Sequence, residues 1–200
     1  MPSNPKNILD FGCAYGAGTM FLSEQFPEAH IVGVDISEYA INKAQAYYRR
    51  ENVDYYCLDL CWSDHFVFLK EQYGAFDLIF SRDTLEHIPL NKQEEVLATL
   101  ARLLKGGGTL IAQIPNKLNP LLNRDKTHIG LRSAKSWKIL FQEYFQEVKV
   151  IEQQYLPLFW RFRKNRELFE FPLPVFGCNI YIFCRGRILL EKYTQMKKKE

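Results

Sequence analysis

Residues 7–18 read Asn-Ile-Leu-Asp-Phe-Gly-Cys-Ala-Tyr-Gly-Ala-Gly. A short apolar run, Asn7 to Asp10, ends in an acid and gives way to a turn with glycines at 12, 16 and 18. Glycine serves where φ must be positive or where the backbone has to pass close to a ligand. The turn opens a helix predicted over Thr19 to Phe26, closed by Pro27, which cannot continue it. The first N–H groups of such a helix face whatever lies over the turn. A tight connection with no ligand is the plain alternative for any one glycine-rich turn. The spacing here, G-x-x-x-G-x-G, differs from the G-x-G-x-x-G of dinucleotide-binding turns and so argues against a nicotinamide-dependent oxidoreductase.

The same order repeats outward from this stretch. His30 to Val34 reads as a buried strand ending at Asp35, and Ser37 caps a helix predicted over Glu38 to Arg50, with Ile41, Ala44 and Tyr48 on one face. Val53 to Leu58 and Phe76 to Phe80 are further strands, with a short helix over Ser63 to Gln72 between them. Asn91 is expected to cap a helix carrying Val96, Leu97, Leu100, Leu103 and Leu104, which Gly106 to Gly108 would terminate before a strand at Thr109 to Ile114. Ser133 caps another helix through about Tyr144, and Val148 to Tyr155 and Asn179 to Cys184 are the last strands. Alternating strands and helices predict a parallel sheet covered on both faces, with right-handed crossovers. We read residues 1–190 as one domain, with loop-rich caps at 115–132 and 156–178 and a basic tail at 191–200.

Composition supports a globular chain: 47% apolar and 24% charged over 200 residues. No apolar run reaches the roughly 18–20 residues of a spanning helix, and the start has no secretory h-region. Five cysteines, an odd number, read as reduced thiols packed among apolar residues, and hence as a cytoplasmic protein. Residues 1–159 carry 16 basic and 19 acidic side chains, whereas 160–200 carry 10 and 4. The basic end suits an anionic partner or, more plainly, a solvated face.

Two acids stand at strand ends. Asp35, 23 residues after Gly12, is placed to accept from both hydroxyls of a ribose. Asp59 is placed to accept from an exocyclic amine, with Leu60 against an aromatic ring; a lone turn Asp is the bland reading.

Taken together, Ile8–Gly18, Ile31–Ser37, Asp59, Phe76–Pro89 and Leu103–Gly108 resemble the successive motifs of class I S-adenosylmethionine-dependent methyltransferases, of the small-molecule, ubiquinone-methyltransferase-like type. The resemblance covers about residues 7–150. It implies a Rossmann-like α/β fold, with a seven-stranded, mostly parallel sheet and an antiparallel last strand. It also implies S-adenosyl-L-methionine as cofactor. The turn from Asp10 through Gly12, Ala14 and Gly16 would hold its methionine part, and Asp35 its ribose. Ile36 would lie beneath the adenine, with Asp59 and Leu60 at the adenine edge, and the Ser81 backbone would meet the ammonium. Ala14 stands where the family often has glycine. The chain starts about six residues before the first strand, where family members usually carry a helix over the cofactor. A catalytically silent binding subunit is therefore the alternative to an enzyme.

Two histidines are the candidate catalytic groups, His87 after the fourth strand and His128 in the loop after the fifth, each able to orient or deprotonate an acceptor. The spacing of Asp83, Glu86 and His87 could put three ligands on one helical turn, with His128 as a fourth. Some ubiquinone-pathway and small-RNA methyltransferases hold a divalent metal with a similar group, yet the same letters commonly serve as caps and surface charges, and no metal ligand is assigned. The segment Tyr155–Phe171 alternates aromatic and basic residues. It reads as a packed hairpin with snorkelling cations or as a cap, with a membrane-surface or anionic contact through 159–166. No nucleic-acid module accompanies it. A small-molecule, lipid or glycan acceptor is the expected partner, and the oligomeric state stays open.

Overall fold

A computed structural model describes residues 4–61, 63–117, 125–154 and 177–188. Seven strands form one sheet: β1 (Asn7–Phe11), β2 (His30–Asp35), β3 (Val53–Cys57), β4 (Phe76–Arg82), β5 (Leu104–Pro115), β6 (Phe145–Gln154) and β7 (Gly177–Arg187). Their order is β3-β2-β1-β4-β5-β7-β6. Strands β1 to β5 pair in parallel, and β7 runs antiparallel to both β5 and β6. The expected Rossmann-like sheet with an antiparallel last strand is therefore present. Among the described residues five helices accompany it: α1 (Ala17–Gln25), α2 (Glu38–Tyr47), α3 (Ser63–Tyr73), α4 (Gln93–Leu103) and α5 (Ala134–Gln142).

Alternation along the strands feeds two cores. Ile8, Ile31 and Leu78 point to one side, where they meet Leu22, Ile41 and Ala44 of α1 and α2. Leu9, Val32 and Ile79 point to the other, against Leu69, Leu97, Leu100, Trp137 and Phe141 of α3, α4 and α5. This two-residue period is what a doubly covered parallel sheet requires. Strand order reverses at β1, which lies between β2 and β4, so a crevice opens at the carboxyl ends of β1 and β4.

Helix starts follow local chemistry at two of the expected caps. The Ser37 and Ser133 hydroxyls accept from the Ala40 and Ser136 N–H groups. Three expectations need correction. Asn91 is not the cap of α4: Lys92 holds that position, and no side chain caps it. Gly106–Gly108 do not end that helix; α4 stops at Leu103 and the chain enters β5 at Leu104 without a break. The glycines instead fill a register shift opposite Phe76 and Leu78, where a Cβ on Gly108 would sit 2.9 Å from Leu104 and 3.1 Å from the Asp77 carbonyl oxygen. The cysteines are not uniformly buried: Cys13 and Cys184 are, Cys57 is exposed, and all three are free, as is Cys61. The caps at 118–124 and 156–176, the aromatic-basic stretch and the tail 191–200 lie outside the described residues.

Candidate functional site at the strand crest

The turn after β1 is held open by left-handed backbone. Gly12 (φ 79°) and Gly16 (φ 87°) adopt it without cost, and Ala14 (φ 46°) adopts it despite its methyl. The Gly12 and Cys13 N–H groups both donate to the Val34 carbonyl, which ties the turn to β2. A Cβ on Gly12 would overlap the Thr84 side chain, so glycine here also admits the segment after β4. Gly16 heads α1 with no side-chain cap, leaving the leading amides of the helix directed at the crest.

Asp10, 3% exposed, accepts a 2.6 Å hydrogen bond from the Thr19 hydroxyl. Burial pushes its carboxyl up to about 6, against the opposing pull of that bond and of Arg82. Asp35 ends β2 and accepts from the Ala14 N–H on one oxygen and from the Ser37 N–H on the other, both at 2.9 Å. Beside it Ile36, Tyr39 and Tyr15 are exposed apolar surface. Asp59 accepts from the Cys61 N–H at 2.9 Å. Leu60 lies in the core at 2% exposure, so its side chain is committed to packing and only its backbone can face a ligand. Ser81, at the end of β4, is buried, and its hydroxyl has no hydrogen-bond partner.

A second cluster lies beyond β4. Leu85–His87 form a single 3-10 turn, which leaves Asp83 outside it at φ 51°. The expected three ligands on one helical turn are thus not formed. The residues that converge are Glu86, His87 and His128, with one ligand atom from each within 4.8 Å of the others. The two imidazoles meet edge-on, with centroids 4.9 Å apart. Glu86 is fully buried, and neither carboxylate oxygen has a partner. Burial pushes its carboxyl up to about 8, and Asp83 and Asp125 add to the shift. His128 Nδ1 is also buried without a partner, while Nε2 lies 3.8 Å from Asp125. An ionised carboxylate buried without a partner is costly, which favours the neutral acid here, and buried polar groups without partners are rare enough to single this cluster out.

Sequence reasoning missed the residues that bring this cluster together. Gln93 lies on the apolar face of α4, three and four residues before Val96 and Leu97, and it is fully buried. A polar residue on an otherwise apolar stripe was the signal available. Thr19 and Thr84, which support Asp10 and Gly12, carried no such mark.

A doubly wound sheet with a glycine turn after β1, an acid after β2 and a donor cluster after β4 and β5 defines a class of α/β proteins that take a ligand across the strand ends. Comparison with known proteins narrows the class. The chain belongs to the methyltransferase-domain family, whose sequence model matches residues 8–108. It is 32% identical over 107 residues to 24-methylenesterol C-methyltransferase 2 of Arabidopsis thaliana, covering 54% of this chain and 28% of that protein. It is also 32% identical over 131 residues to trans-aconitate 2-methyltransferase of Acidovorax sp. strain JS42, covering 65% and 46%. The chain thus spans less than half the length of these relatives. Its fold matches the crystal structure of a SAM-dependent methyltransferase from Anabaena variabilis with a TM-score of 0.66 at 20% identity, over 91% of this chain and 77% of that one.

Proposed function

We propose that the chain is an S-adenosylmethionine-dependent methyltransferase acting on oxygen, nitrogen or carbon of a small-molecule, lipid or glycan acceptor. The observation that carries this reading is the Asp35 carboxylate, fixed by the Ala14 and Ser37 amides at the end of β2 beside exposed Ile36. Each of its oxygens keeps lone pairs for ribose hydroxyls. Ile36 offers apolar surface to adenine, and Asp59 with the Leu60 backbone offers polar groups to its edge. The turn from Asp10 through Gly12, Ala14 and Gly16 holds the amino-acid end, with the unpartnered Ser81 hydroxyl and its backbone nearby. When bound, S-adenosylmethionine supplies a methyl group on a positively charged sulfur. The protein's task is then to align an acceptor and exclude water, which is proximity and orientation.

Glu86, His87 and His128 form the acceptor side. His128, with an unpartnered ring nitrogen, and His87 are placed to orient the acceptor and to take the proton it loses. The same donor set, one buried carboxylate without a partner and two imidazoles, fits a divalent cation such as zinc or manganese. A bound cation would polarise an acceptor oxygen. Of the four side chains that the sequence grouped as candidate ligands, Glu86, His87 and His128 converge and Asp83 stands outside the turn.

Two measurements test the reading. Calorimetry with S-adenosylhomocysteine should give heat in the parent and at least a tenfold weaker affinity in Asp35→Ala. Release of S-adenosylhomocysteine should then follow on an acceptor panel. Binding without turnover on any acceptor would favour a silent subunit, and no binding at all would end the proposal. Turnover unchanged after exhaustive chelation would remove the cation. The free thiols fit a cytoplasmic enzyme. Among the described residues no helix is long and apolar enough to cross a membrane. A membrane-surface or anionic contact through 159–166 remains part of the proposal.

A further inference from the structure

The three members of the acceptor cluster come from two segments that share no strand or helix. Glu86 and His87 sit on the 3-10 turn, and His128 lies in the segment leading to α5. One buried carboxamide bridges them. The two N–H bonds of Gln93 Nε2 serve three carbonyls, one of them shared: Leu85 at 3.2 Å and Ile88 at 3.1 Å, on the first segment, and Gly130 at 2.6 Å, on the second. Its oxygen accepts from Arg132 Nε at 2.5 Å, again on the second. Two further bonds run alongside: the Gly130 N–H donates to the Glu86 carbonyl at 2.8 Å, and His87 Nδ1 lies 3.2 Å from the Thr127 carbonyl. Gly130 is a glycine because a Cβ there would overlap the Ile88 carbonyl and the Gln93 amide. Arg132 is itself steadied by the Ser136 hydroxyl at 3.3 Å and lies 5.8 Å from the centre of the Trp137 ring.

We propose that Gln93 is a positioning residue for the acceptor side: its carboxamide latches the 125–132 segment onto the 3-10 turn and so sets the distance from His128 to Glu86 and His87. What the cluster does rests on the methyl-transfer reading above; that Gln93 assembles it does not. The chemistry demands an amide. The nitrogen faces only carbonyl acceptors and the oxygen faces only a guanidinium donor, so both ends of the group are used with the right polarity. A glutamate of the same shape would turn a charged oxygen toward three carbonyls, and an alanine would take this partner from the Ile88 and Gly130 carbonyls and from Arg132 Nε. Gln93 touches neither histidine in these contacts, so it acts through the segments it joins.

The test is Gln93→Glu, read in three ways. The first is the cross-peak between His87 and His128 ring protons in NMR spectra of the ring-labelled full chain. The second is S-adenosylhomocysteine affinity by calorimetry. The third is affinity for manganese alone. The expected result is loss of the cross-peak and at least tenfold weaker manganese binding, with S-adenosylhomocysteine affinity within about twofold of the parent. Gly130→Ala, which wedges the same joint from the other side, should reproduce it. A cross-peak that survives in both variants overturns the proposal. Cross-peak and S-adenosylhomocysteine binding lost together in both variants also overturn it, because Gln93 would then serve the fold at large. If the parent binds no manganese, the cation reading fails alone and the cross-peak still decides the latch.

Discussion

Replacing Asp10 with asparagine isolates the largest electrostatic cost in the glycine turn. The carboxyl is 3% exposed, and its one side-chain hydrogen bond comes from Thr19, so burial lifts it from an ordinary 3.8 to about 6. Below pH 3.8 it is protonated in both folded and unfolded chains and costs nothing. As pH rises the unfolded chain ionises first, and the folded state loses stability until both are charged above about pH 6. That difference amounts to about 3 kcal/mol at pH 7, with about half in place at pH 5. Asparagine keeps an oxygen for the Thr19 hydroxyl and has no charge to bury. Its amide has its own fixed cost, but that cost does not change with pH. Urea unfolding of both proteins without ligand, at pH 5 and pH 7.5, separates the two. Between those values the variant should gain about 1.4 kcal/mol on the parent. Parallel stabilities at the two pH values would refute the claim that Asp10 is a buried, ionising carboxylate.

Three more outcomes follow from the same turn. Thr19→Val removes the hydrogen bond that opposes the burial of Asp10, so the parent's loss of stability between pH 5 and 7.5 should steepen, read by the same unfolding series. Gly12→Ala forces a side chain into left-handed backbone and into Thr84; it should cost about 1–3 kcal/mol in stability and abolish S-adenosylhomocysteine binding, seen by thermal melting and calorimetry. Asp35→Ala frees the Ala14 and Ser37 amides along with the ribose; affinity should fall about 10–100-fold, in keeping with charge-assisted hydrogen bonds of about 1.5–3 kcal/mol, while the melting temperature moves little.

The cofactor half of the crest is legible in the sequence because its parts are local. A strand-ending acid, a glycine turn and a second strand-ending acid need only the period of the strands to be placed, and the Ser37 and Ser133 caps need only the residues that follow them. The acceptor half is not local. The sequence grouped Glu86 and His87 with His128 as candidate ligands, but the contacts that join the two segments, among them Gln93 to Gly130 across 37 residues of chain, leave no pattern in either. Gly106–Gly108 misled for a related reason. Glycine after a helix suits a left-handed cap, but it equally suits a strand that must pass close to Asp77, and only the pairing of β4 with β5 distinguishes the two.

The two halves differ in how their buried acids are satisfied, and the difference bears on what each half receives. Asp10 is partnered by Thr19 and feels Arg82, so its charge is tolerable before any ligand arrives. Glu86 has no partner on either oxygen, and the acids Asp83 and Asp125 raise its carboxyl further. Burial of that kind favours the neutral acid, so near neutral pH the group is held largely protonated unless something positive completes it. On the proposed reading the glycine turn meets a ligand whose own ammonium and sulfonium are cationic, and a modest preparation suffices. On the Glu86 side the carboxyl is completed by a proton of its own or by a cation held with His87 and His128. The latch at Gln93 matters for the same reason. A cation shared by Glu86, His87 and His128 would need all three held in place, and the segment bearing His128 is held through Gly130 and Arg132.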